Sequence, residues 1–155
     1  KLALGKWPIF SPVIGAIKTF FEEYQIKYRK KNIVIAGRGD LVGKPAIAWL
    51  QKETNKLNLI NRTTKTKDIK KIMAEADIII SGVGQPKFIT SRMVKKGVVI
   101  IDAGTSESKG VVVGDADFKS LSKKASYMTP VPGGIGPMTV AILLQNLVVL
   151  SKLKK

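Results

Sequence analysis

A chain of 155 residues, 45% hydrophobic and 25% charged, has the size and apolar content of one globular domain rather than of a disordered segment. Cysteine and histidine are both missing, which excludes disulfides, thiol nucleophiles, His-based triads and zinc held by either ligand, and leaves lysine, tyrosine and carboxylates for any acid–base work. The net charge of +16 comes from 27 basic residues, 23 of them lysine, scattered along the chain; nucleic-acid readers lean on clustered arginine, so we read a solvated lysine surface, with a nucleic-acid-binding module as the alternative.

Residues 1–12 read as an irregular segment punctuated by Pro8 and Pro12, and Lys6, Pro8 and Lys18 interrupt any signal-peptide core. Ile14, Ile17, Phe20, Phe21 and Tyr24 recur at helical spacing, which predicts an amphipathic helix over Val13 to Tyr24. After a basic connector, Lys27 to Lys31, the run Asn32 to Ala36 is short, β-branched and closed by glycine, as a strand buried on both faces would be. Pro45 to Lys52 predicts a helix, Leu57 to Ile60 a strand, and Asp68 to Glu75 a helix capped by Asp68. Asp77 to Ile80 and Val98 to Ile101 predict two more strands, with a helical turn over Thr90 to Lys96 between them, closed by Gly97. Ser106 to Asp117 breaks the rhythm as a hairpin whose second arm is Val111 to Val113, and Met138 to Leu153 predicts the last helix. Its most apolar part, Val140 to Leu150, is short and broken by Gln145 and Asn146, so no membrane span is expected. Alternating strands and helices predict an α/β fold: a Rossmann-like, doubly wound, mainly parallel sheet with helices on both faces.

Three phrases carry chemistry. The turn Gly37-Arg38-Gly39-Asp40-Leu41-Val42-Gly43 lies between a buried strand and a helix, where glycines make the bend, admit a pyrophosphate and let helix and strand approach. The helix N-terminus then offers unpaired N–H groups to the phosphates. At the end of the second strand, Asn61-Arg62-Thr63-Thr64-Lys65-Thr66 has no acid to hold ribose hydroxyls; Arg62, Lys65 and Arg38 instead suit a 2′-phosphate, so NADP is expected over NAD. Three prolines and three glycines between Pro130 and Pro137 define a constrained loop, with Thr139 placed to cap the helix beyond. Such a loop suggests a binding wall. Gly82 and Gly84 in Ser81-Gly82-Val83-Gly84-Gln85-Pro86, and Thr105 after Asp102-Ala103-Gly104, lie at strand ends where doubly wound folds bind ligands. Asp102, Asp115 and Asp117 match no standard metal loop, and solvation or hydrogen bonding explains them better.

Taken in order, Gly37 to Pro45, Val83-Gly84-Gln85-Pro86 and Pro132 to Thr139 resemble the bifunctional methylenetetrahydrofolate dehydrogenase/methenyltetrahydrofolate cyclohydrolase family, whose signature is the proline-glycine phrase. The resemblance covers nearly the whole chain, but only the C-terminal, cofactor-binding half of a usual member. It implies an enzyme that oxidises 5,10-methylenetetrahydrofolate by hydride transfer to NADP and hydrolyses the methenyl product to 10-formyltetrahydrofolate. It further implies a cytoplasmic homodimer in one-carbon metabolism and purine biosynthesis. By motif, Gly37, Arg38, Gly39 and Gly43 would line the dinucleotide, Arg38 would meet the 2′-phosphate with help from Thr64, and Thr105 would sit beside the cofactor. Pro132, Gly133, Gly134, Ile135, Gly136, Pro137, Met138 and Thr139 would wall the cleft for the tetrahydrofolate substrate. Two departures stand out: family members have serine where this chain has Gly39, and the segment Pro12 to Gly15 lacks the usual Thr-Pro pair. The family's catalytic lysine, its tyrosine partner and its folate-binding aspartate belong to an N-terminal domain that this chain is expected to lack. The resemblance therefore assigns no catalytic residue and no metal here: residues 1–12 would be an interdomain segment, and the chain alone would bind cofactor without turnover. Asn61-Arg62-Thr63 also resembles shikimate dehydrogenases, an alternative against which the proline-glycine loop argues.

Overall fold

The computed structural model describes residues 9–108 and 110–153, so most of the expected interdomain segment 1–12 lies outside the described residues. Four short strands, β1 (Ile33–Ala36), β2 (Leu57–Ile60), β3 (Ile78–Ser81) and β4 (Val99–Asp102), pair in parallel, and a two-residue strand at Tyr127–Met128 extends the sheet beyond β4. The hairpin strands β5 (Ser106–Ser108) and β6 (Val111–Val113) pair only with each other, so the two-residue strand is β7 and the sheet order is β2-β1-β3-β4-β7.

Period-two alternation sorts the strand residues onto two apolar layers. Ile33, Ile35, Ile78, Ile80, Val99 and Ile101 face a layer built with α1 (Pro12–Glu23) and α2 (Gly43–Leu50). Val34, Ile79 and Ile100 face the other, built with α3 (Thr66–Glu75), the short α4 (Phe118–Leu121) and a single 3₁₀ turn at Ser91–Met93. Both faces are therefore covered, as a parallel sheet requires.

Several helix ends differ from expectation. α2 starts at Gly43, before Pro45, because proline is tolerated in a first turn. α3 starts at Thr66, which puts Asp68 in the first turn; it faces the positive end of the helix dipole but does not cap it. The last helix, α5, runs Ile135–Lys152 and takes in Pro137, so Thr139 is not its cap. The Thr139 hydroxyl instead donates to the Ile135 carbonyl at 2.8 Å, one turn back.

At 18 residues and mean hydropathy 1.5, α5 is long and apolar enough to cross a bilayer by length and composition, which corrects the shorter reading of Val140 to Leu150. It packs along α1 through Met138 and Ile142, with Gly15 leaving room for the Ile142 side chain. Val140, Leu143, Leu144, Leu147 and Val148 lie on its exposed side.

Asp77 braces the start of the sheet. Partial burial would raise its carboxyl, but the Lys95 ammonium at 2.6 Å and the Asn32 N–H at 2.8 Å outweigh this and hold it below the usual aspartate value. The brace is thus complete above the unfolded value of about 3.9 and is lost as pH falls through the depressed folded value. Asp77→Asn should flatten the decline of the urea midpoint in that acid window and leave its neutral-pH dependence unaltered.

Candidate dinucleotide-binding site

The parallel register brings Ala36, Ile60, Ser81 and Asp102 level, so the carboxyl ends of four strands share one edge of the sheet. A cleft of about 480 Å³ opens there, lined by Gly37, Arg38, Gly39, Ile60, Asn61, Arg62, Thr63, Gly82, Val83 and Phe88. Gly37 makes the bend with φ +96°, and a Cβ on it would stand 2.6 Å from the Gly82 carbonyl oxygen. A Cβ on Gly43 would overlap the Gly37 carbonyl oxygen and come within 2.8 Å of the Arg38 Cα. Gly43 does not line the cleft; it lets α2 start directly against the bend. The Lys44 N–H donates to the Gly39 carbonyl at 3.0 Å and Pro45 has no N–H, which leaves the Gly43 amide as the donor at the head of the helix. Around Gly39 no atom other than those of its chain neighbours lies within 4 Å of a built Cβ. The fold does not need glycine there, and the space opens to the cleft.

The turn after β2 is locked by its own side chains. The Asn61 Oδ1 accepts from the Thr63 N–H at 2.9 Å and the Thr63 hydroxyl at 2.7 Å, while the Thr64 Oγ1 accepts from the Asn61 N–H at 3.0 Å. The Thr64 hydroxyl is therefore engaged inside the turn; Thr63, which the sequence did not single out, lines the cleft instead. Lys65 precedes α3 and is likewise absent from the lining. Arg38 and Arg62 are exposed at the rim, and no carboxylate is among the lining residues. Asp40, at the outer bend, pairs with Lys44 on the first turn of α2, and this contact holds its carboxyl below the usual range.

A second cavity of about 380 Å³ lies over β4 and the start of α5, lined among others by Val13, Thr105, Val112, Pro132, Gly133, Gly134, Ile135, Gly136, Pro137 and Thr139. Met138 is turned away from it and packs into the apolar layer against α1. Gly84 and Thr105 stand on the ridge between the two cavities: a Cβ on Gly84 would be 4.0 Å from the Thr105 carbonyl oxygen. Neither lines the first cleft.

Two buried acids hold this ridge. Asp115 accepts from the Ser81 hydroxyl at 2.6 Å and from the Val83 and Gln85 N–H groups at 2.8 Å each. Asp102 accepts from the Gly104 and Ala116 N–H groups at 3.0 and 2.8 Å; burial pushes its carboxyl above the usual aspartate range against the pull of those amides. No group of acids suited to a metal ion occurs among the described residues.

The sequence model of the family described as "Tetrahydrofolate dehydrogenase/cyclohydrolase, NAD(P)-binding domain" matches residues 12–155. The chain belongs to this family. The "Bifunctional protein FolD" of Nautilia profundicola is 45% identical over 137 residues, 88% of this chain and 48% of that protein. That of a Sulfurihydrogenibium species is 42% identical over 156 residues, 99% of this chain and 54% of its own length. The crystal structure of the Campylobacter jejuni bifunctional enzyme FolD superposes with a TM-score of 0.90 at 36% identity, over 99% of this chain and 54% of the other. The Trypanosoma brucei N5,N10-methylenetetrahydrofolate dehydrogenase-cyclohydrolase, solved with NADP cofactor and inhibitor, gives a TM-score of 0.86 at 32% identity, over 94% and 51% of the two chains. This chain spans about half the length of the relatives it matches, and within the family it corresponds to the NAD(P)-binding domain.

Proposed function

We propose that the cleft binds NADP. The 2′-phosphate lies between Arg38 and Arg62, the pyrophosphate rests on the bend from Gly37 to the first turn of α2, and the nicotinamide reaches over β3 toward Gly84 and Thr105. The observation that carries this reading is the charge of the rim: two guanidinium groups and no carboxylate where ribose hydroxyls would need an acceptor. The residues present fit the group, since the open space beside Gly39 admits a diphosphate and the cleft volume is of the right order for a large ligand.

We further propose, on the family resemblance, that the parent protein oxidises 5,10-methylenetetrahydrofolate to the methenyl form and hydrolyses it to 10-formyltetrahydrofolate. The loop from Pro132 to Thr139 would form part of the folate wall, without Met138. Bound nicotinamide supplies the hydride acceptor. This chain's residues hold and orient it: the glycine bend and the start of α2 receive the phosphates, and the ridge at Gly84 and Thr105 sets its position. The same resemblance supports a cytoplasmic homodimer serving one-carbon metabolism and purine biosynthesis, with the chemistry of proton transfer supplied outside this chain.

Isothermal titration of the 155-residue chain with NADP and NAD tests the cofactor reading. Tighter binding of NADP is expected; absence of heat with both at millimolar concentration would defeat it.

A further inference from the structure

The loop between β3 and Phe88 carries Gly82 and Val83 into the cleft wall, and no regular element holds it. Its shape is set from across the chain by Asp115, which has no exposed surface. None of the ion pairs among the described residues includes Asp115. A carboxylate at that depth is tolerated only when donors surround it, and the three it receives all come from this loop or its root. Acid and loop therefore define each other. The backbone on the far side of the ridge leans on the same group, because a Cβ on Gly104 would fall on the Asp115 carboxylate.

We propose that Asp115 is a positioning residue for the nicotinamide end of the cofactor: it fixes the Ser81–Gln85 wall and locks it to the Gly104–Thr105 wall of the second cavity. The inference rests on the NADP reading. With the 2′-phosphate at the β2 end and the phosphates over β1, the remaining half of the dinucleotide extends over β3 and β4, where these two walls meet.

Asp115→Asn isolates the effect. Whichever oxygen is replaced, an amide NH₂ opposes a backbone donor, Gln85 N–H at one position or Val83 N–H at the other. The probes are NADP and adenosine 2′,5′-bisphosphate, which keeps the adenine half and its 2′-phosphate. Loss of this wall is expected to weaken NADP about tenfold and the bisphosphate less than about twofold, the order expected when a ligand loses a directed contact. Amide exchange at Val83 and Gln85 should quicken while that of Ile80 does not. Gly104→Ala, which displaces the same carboxylate from the other side without changing its chemistry, should reproduce the split. If Asp115→Asn does not fold, Gly104→Ala and Ser81→Ala carry the test. Unchanged NADP affinity in folded variants, or equal weakening of both probes, overturns the positioning role. Failure of the unaltered chain to bind either probe overturns the cofactor reading itself.

Discussion

Alanine at position 43 is expected to abolish dinucleotide binding and to lower stability by roughly 1–3 kcal/mol, the range for overpacking a close contact. The obstacle is backbone, not a side chain that can swing aside: the added methyl meets the Gly37 carbonyl and the Arg38 Cα. Relief requires α2 to retreat from β1, which both opens the apolar layer at Val42 and Ala46 and carries the bend and the start of the helix off the phosphate position. Urea unfolding and NADP titration of Gly43→Ala check the two parts separately. Gly39→Ser is the contrast. With nothing but its chain neighbours within 4 Å of its Cβ, its unfolding free energy should change by no more than about 0.5 kcal/mol, as for other surface substitutions, and cofactor binding should persist. If Gly39→Ser proved as harmful as Gly43→Ala, the division between a glycine required by packing and one that merely leaves room would be wrong.

The second large effect concerns cofactor choice. Removing Arg38 is expected to weaken NADP by about ten- to hundredfold, the equivalent of a charge-assisted hydrogen bond to phosphate, and NAD by no more than about threefold. Arg62→Ala should act in the same direction. Because both guanidinium groups sit at an exposed rim, the NADP advantage should also shrink as salt rises. Equal losses for the two dinucleotides would remove the 2′-phosphate assignment and leave Arg38 as a general phosphate contact.

What the sequence disclosed and what it hid divide along physical lines. β1, β3 and β4 were legible because a strand covered on both faces must be a continuous apolar run, and Ile33–Ala36 or Ile78–Ser81 could be little else. The glycine bend was legible because backbone demands leave few residue choices at Gly37. β7 was not: two residues, one of them a Tyr127 that is 41% exposed, carry no pattern and are strands only by virtue of pairing with β4. The start of α5 was hidden because glycines and prolines read as loop, although proline suits a first helical turn. The place of Thr64 rests on the family resemblance, and only the turn around Asn61 shows that both threonine hydroxyls are engaged within it while Thr63, not Thr64, lines the cleft. The hold of Asp115 on residues 30 to 34 positions earlier in the chain is invisible to any local pattern.

The level ending of four parallel strands makes the sheet edge a ruler. Neighbouring strands stand about 4.8 Å apart, so the span from Ile60 through Ala36 and Ser81 to Asp102 is three rungs, roughly 14 Å. One residue inserted into β3 would push its loop outward by about 3.3 Å and turn every later side chain to the opposite layer, whereas the same insertion between Lys27 and Lys31 would leave the rungs untouched. Length variation in descendants of this sequence should accordingly gather at the amino-terminal side of the sheet and avoid the strands.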